Sequence, residues 1–239
     1  PESRTIEQEG VMIDNLLLVD EGTFREDAVR AALADAKYPA RRPDRNLSDL
    51  RAQLAACSRG AELLCLAARN NGPAVVAAYM DHVLANAEES VRRLLDRLQD
   101  GEFAYPMDNG ASVQVAVAID AEARSATIDF TGSSDQLPGN FNAPLSVVRA
   151  AVLYVVRTLI DEAVPMNDGC LKPITIIGPE GSMLRPRHPA AVVAGNVETS
   201  QVVTDALFGA LGVMAGAQGT MNNFTFGNDR HQYYETIAG

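Results

Sequence analysis

Three polar clusters in this 239-residue chain carry side chains able to move a proton or hold a polar ring. The first is TGSSDQLPGNFNAP, residues 131–144. Thr131, Ser133, Asp135, Asn140 and Asn142 fall close together there, beside Gly132 and Gly139. Amides and hydroxyls at that density suit short hydrogen bonds to a polar ring or a carboxylate. They equally suit a turn leading into a helix, with Asn142 as its cap. The second cluster is GNVETSQVVTD, residues 195–205, which joins a short apolar segment to a helix start. Free backbone N–H groups at such a start stabilise an oxyanion or a carboxylate. Glu198 fits a general base or a cation ligand, with Asn196 and Asp205 beside it. Capping accounts for the same pattern, with Thr199 as N-cap and Asp205 facing solvent. The third cluster is GTMNNFTFGN, residues 219–228, followed by Glu235. Asn222 and Asn223 fit an Asx turn, or a cleft shared with Asn140 and Asn196. Each Asn-Gly cluster follows an apolar segment, which points to loops meeting on one rim. His82 lies in a helical stripe and reads as structural. Cys170 has no local base to activate it.

The elements that would position these loops follow from periodicity. Val11, Ile13 and Leu17 suggest a strand, and residues 23–37 a helix with Thr23 and Glu26 at capping-box spacing. Residues 47–70 form a second helix, capped by Ser48, with Leu50, Leu54, Cys57, Ala61, Leu64 and Ala68 on its buried face. Asn70-Asn71-Gly72 ends it, and Pro73 opens a third helix to about residue 99. A short link of this kind makes the two helices antiparallel neighbours. The period then changes to two. Residues 111–119 and 125–130 read as paired strands around a turn. A helix follows over 144–161, then short strands at 174–177 and 191–193, a helix from 199 to about 217, and a strand-loop-strand tail. The expected class is α+β, a mixed α/β chain. Residues 1–105 are mainly helical, and 106–239 alternate strands and helices around the Asn/Gly-rich loops.

Composition narrows the function. The formal net charge is −11 and aromatics reach only 5%, which argues against a nucleic-acid partner. No apolar run approaches a membrane span, so no membrane role is expected. Three cysteines make no disulfide framework and no metal-type pair, which fits reduced, buried thiols in the cytoplasm. The three histidines are far apart, so this chain is not expected to hold a metal by itself. Gly209, Gly212 and Gly216 lie within a helical pattern that follows no strand, which excludes a dinucleotide loop.

The runs IDFTGSSDQLPGNFNAP, VPMNDGCLKPITIIGPEGSMLRP, PAAVVAGNVETSQVVTDALFGALG and GTMNNFTFGN…YYETIAG together resemble the hydantoinase B/5-oxoprolinase family. That family also takes in the related subunits of acetone and acetophenone carboxylases. The resemblance is collinear and covers essentially the whole chain. It implies ATP-dependent opening of a cyclic amide such as 5-oxoproline or a hydantoin. ATP would be bound by a hydantoinase A-type subunit or domain that activates the amide carbonyl. The positions that match the family are Thr131, Gly132, Gly139, Asn140, Asn142, Asn167, Gly169, Gly195, Asn196, Glu198, Thr199, Asp205, Asn222, Asn223 and Glu235. Asn196, Glu198 and Asp205 are the expected catalytic group, with Glu198 or Asp205 handling a proton. Thr131, Asn140, Asn142, Asn222 and Asn223 are expected to bind substrate. Family members are longer, and their His/Asp segment, associated with a divalent metal in the carboxylase branch, has no counterpart here. The chain is therefore expected to be an internal fragment, inactive alone. Two other readings stay open: an alpha-type subunit of an ATP-dependent ketone carboxylase, and an assembly segment without chemistry.

Overall fold

A computed structural model describes residues 2–216 and 222–237. The chain forms two compact units. One comprises Ile6–His82, and the other runs from Val83 onward and takes in the N-terminal stretch ending at Thr5. The class is α+β, as expected.

In the first unit, strands β1 (Val19–Asp20) and β2 (Thr23–Phe24) pair antiparallel. Glu21 and Gly22 turn between them in the left-handed region, with φ of 45° and 83°. That turn draws Thr23 into the ladder, so it does not cap the next helix. Helix α1 (Glu26–Ala34) starts after Arg25 without a side-chain cap, and Glu26 instead pairs with Arg30 and Arg51. The segment expected as a strand at 11–17 forms none among the described residues. Its Val11 and Leu16 pack against a small core of Val29, Leu33 and Leu47. Helix α2 (Pro43–Asn71) begins four residues earlier than the periodicity suggests, because Pro43 is suited to a first turn. Ser48 is consequently inside the helix, donating to the Asp44 carbonyl at 3.0 Å. Gly72 (φ 87°) ends α2 and Pro73 opens α3 (Pro73–Leu95). The expected buried stripe of α2 is largely open, with Cys57, Ala61 and Leu64 exposed, and Cys65 is exposed as well, so of the thiols expected to be buried only Cys170 is. Periodicity marks an apolar face but cannot say whether anything covers it.

The second unit is built on a four-stranded sheet in the order β3-β4-β5-β6. Strands β3 (Gly101–Pro106), β4 (Ser112–Asp120) and β5 (Ser125–Asp129) are antiparallel neighbours, and β6 (Ile174–Ile177) runs parallel to β5. Along β4, Val113, Val115 and Val117 are buried while Gln114, Ala116 and Ala118 are exposed, as a sheet covered on one face requires. The covering layer is α4 (Leu145–Thr158), α5 (Thr199–Leu211) and the later turns of α3, through Val91, Val148, Val152, Val203 and Leu207. Helix α5 approaches β3 so closely that a Cβ on Gly101 would lie 1.9 Å from the Ala210 carbonyl oxygen. Helix α5 stops at Leu211, because Gly212 takes a left-handed C-cap conformation (φ 62°). The strand expected at 191–193 is instead a 3₁₀ turn at Val193–Gly195. Strands β7 (Asn222–Gly227) and β8 (Gln232–Ile237) make the antiparallel hairpin expected in the tail.

Candidate functional site

Two of the three polar clusters are bonded into one frame. The loop after β5 and the segment leading into α5 run side by side, and Asn142 is their hub. Its side chain is fully buried. Its Oδ1 accepts the Leu137 N–H at 2.7 Å. Its Nδ2, with two hydrogens and one of them shared, donates to the carbonyls of Leu137 (3.0 Å), Gly139 (2.9 Å) and Ala191 (3.0 Å). The first two bonds close the loop on itself, and the last ties it to the α5 approach. Further bonds continue the seam. The Ala194 N–H donates to the Asn140 carbonyl at 3.0 Å. The Thr199 hydroxyl, fully buried, donates to the Phe141 carbonyl. Between them Gly195 lies so close that a Cβ there would sit 2.3 Å from the Asn142 carbonyl oxygen. Only glycine fits this contact without a backbone shift.

This frame sets where each expected site residue stands. Asn140 is buried, and its Nδ2 donates to the Ser3 hydroxyl at 3.1 Å, which brings the N-terminal stretch to the same place. Asn196 follows the 3₁₀ turn directly and is exposed. Glu198 precedes the first turn of α5, half-buried, and its side chain makes no capping bond. Thr199 is not the N-cap; it is the first helical residue, and its hydroxyl is used across the seam. Asp205 is buried in α5, so the capping alternative, in which it faces solvent, does not hold. Thr131 is exposed at the start of the loop, its N–H donating to the Asp129 carboxylate at 2.8 Å. Asn222 and Asn223 are in the β7 ladder opposite Ile237 and Thr236, and not in an Asx turn. Their side chains lie outside the described residues. The Asx turn of this hairpin belongs to Asn228, whose Oδ1 accepts the N–H groups of Arg230 and His231.

A groove of about 570 Å³ opens between α4 and α5 next to Asn196. Ser146, Val147, Ala150, Ala151 and Tyr154 form its α4 wall, and Ser200, Gln201 and Thr204 its α5 wall. Sequence reasoning missed Gln201 and Tyr154. The available signal was spacing: both lie off the apolar stripes that bury α4 and α5. Among the described residues no three His, Cys, Asp or Glu side chains converge as a cation site needs. No helix among them is long and apolar enough to cross a membrane.

The arrangement is that of a neutral polar rim on a rigid α+β frame, with one half-buried carboxylate beside it. Residues 1–239 match the family model described as Hydantoinase B/oxoprolinase, and the chain belongs to that family. It is 40% identical over 248 residues to the 5-oxoprolinase of Dictyostelium discoideum, covering 100% of this chain and 19% of that protein. With 5-oxoprolinase 1 of Arabidopsis thaliana it shares 41% over 263 residues, covering 100% of this chain and 21% of the relative. The chain thus spans about a fifth of the length of the curated relatives it matches. Its fold is similar to that of the ATP-dependent caprolactamase from Pseudomonas jessenii. The TM-score is 0.69 at 22% identity, over 94% of this chain and 39% of that one.

Proposed function

We propose that this chain is the ring-opening part of an ATP-dependent cyclic amide hydrolase of the 5-oxoprolinase type. The observation that carries the reading is the family match over the entire chain, at about 40% identity to two 5-oxoprolinases. The frame supports it, because the bonds of Asn142 and Thr199 fix the segment that carries the neutral Asn196 and the carboxylate Glu198 against the loop of Asn140.

In this reaction water adds its oxygen to the ring carbonyl carbon, the C–N bond breaks, and the ring nitrogen takes up a proton. Glu198 is the base suited to activating that water. It stands at the rim, half-buried, and its carboxylate makes no hydrogen bond to the other described residues. Asp205 is the second carboxylate of the group, enclosed behind the rim. Asn196 orients the ring amide. Asn142 acts through the frame, since its amide is used up by backbone. Thr131, Asn140, Asn222 and Asn223 are the remaining proposed substrate contacts. ATP drives the reaction by activating the carbonyl and is held by a hydantoinase A-type partner or domain. A divalent metal would take its ligands from outside the described residues, among which no three His, Cys, Asp or Glu side chains converge. The setting is cytoplasmic, where the exposed Cys57 and Cys65 stay reduced.

The competing reading is ATP-dependent carboxylation of a ketone. Turnover of the complete enzyme with 5-oxoproline, hydantoins and ketones separates the two. ATP consumption coupled to ring opening is expected. Coupling to ketone and bicarbonate alone would overturn the hydrolase reading.

A further inference from the structure

The α4–α5 groove has a lining chemistry that selects among amides. None of its lining residues is charged. The carboxamides of Asn196 and Gln201, the Tyr154 phenol and the Ser146 hydroxyl make no hydrogen bond to other described residues. The Ser200 and Thr204 hydroxyls are already spent on the carbonyls of Asn196 (2.6 Å) and Ser200 (2.9 Å). Val147 and Ala151 add an apolar patch. The volume, about 570 Å³, lies in the ordinary range for small-molecule sites.

We propose that Gln201 is a specificity-determining residue that pairs edge-to-edge with the ring amide of a cyclic substrate. The proposal rests on the hydrolase reading above. A small ring forces its amide to be cis, so its N–H and C=O point to the same side. A primary carboxamide also presents one donor and one acceptor on one edge. The two edges match through a pair of parallel hydrogen bonds. A linear secondary amide is trans, with N–H and C=O on opposite sides, and can make only one of them. The groove therefore distinguishes cyclic from linear amides by geometry, while Val147 and Ala151 receive the ring methylenes. With no cation in the lining, a carboxylate on the ring stays toward solvent.

The test is the Gln201→Met variant of the complete enzyme, assayed with 2-pyrrolidinone, hydantoin and 5-oxoproline. Gln201 is half-buried on a helix surface, so the variant should melt as the wild type does. If it unfolds, Gln201→Glu, which at neutral pH exchanges the donor for a charged acceptor, replaces it. KM for the ring substrates should rise about tenfold, the worth of one to two neutral hydrogen bonds. kcat should change less than KM, and inhibition by the linear analogue N-methylacetamide, which can lose only one bond, should weaken less than ring binding. Unchanged KM, or an equal loss for ring and linear amides, would overturn the proposal. If the wild-type enzyme opens no ring at all, the hydrolase reading fails separately. The groove is then judged by NMR titration of 2-pyrrolidinone against the Gln201 side-chain amide. Saturable shifts of that amide, larger with 2-pyrrolidinone than with N-methylacetamide, support pairing, and no shifts refute it.

Discussion

Asn142 and Thr199 hold the site together, and their removal should be costly in ways that can be measured. Asn142 makes four hydrogen bonds to backbone from a fully buried position. Asn142→Leu leaves an N–H and three carbonyls without that partner, at a cost of roughly 3–5 kcal/mol by urea denaturation. Asn142→Asp keeps the acceptor for Leu137 but turns a carboxylate toward three carbonyls, and should be no better. Thr199→Val keeps shape and loses one buried bond, so about 1 kcal/mol is expected. The sequence marks Asn142 as a residue able to bind or to cap. It does not say which, because spacing along the chain cannot tell whether an amide faces a ligand or its own backbone. Asp205 has the same ambiguity: the helical pattern leaves it on either face, and it is enclosed because the chain after α5 returns over it, bringing Gly216 against its carboxylate.

Among the elements, two glycines make opposite predictions. Gly60 is inside α2 with nothing within 4 Å of where a Cβ would stand, so Gly60→Ala should stabilise by about 1 kcal/mol through helix propensity. Gly101 is pressed against the Ala210 carbonyl, and Gly101→Ala must push β3 off α5, at a cost of about 2–3 kcal/mol. Thermal melts of the two variants should move in opposite directions. Strands β4 and β5 and helix α4 are legible in the sequence because their apolar periods are unbroken. Strand β3 is not: it is a sheet edge paired only with β4, and Phe103 is 41% exposed, so its alternation is faint. The start of helix α1 differs from the expectation because Thr23 satisfies a capping rule locally while the Glu21-Gly22 turn commits it to a strand. The β7–β8 hairpin is legible through its aromatic alternation. Its ladder places Phe224 opposite Glu235 and Phe226 opposite Tyr233.

For the molecule as a whole, acid stability follows from its carboxylates. Glu88 accepts hydrogen bonds from Arg92 and lies 3.5 Å from the Lys172 ammonium. These cations, Arg92 first, hold its carboxyl below the usual value of 4.5 against the opposing effect of burial. A depressed folded value means the contribution is complete above the unfolded value and is lost as pH falls through the folded one. Glu88→Gln should therefore be less stable than wild type at pH 7 and equal to it near pH 3. A constant difference across that range would rule out the ion pair as its source. At this scale the family is legible from four collinear runs, whereas the division at His82 is not, since α3 is continuous in sequence pattern across it.

The most direct test of the proposed site is single-turnover ring opening by the complete ATP-dependent enzyme with Asn196→Ala, Glu198→Gln and Asp205→Asn. Each variant is checked first for unchanged melting. At least Glu198→Gln is expected to slow ring opening by roughly a hundredfold or more, the usual contribution of a general base. Wild-type rates in all three would contradict a catalytic role for this part of the molecule.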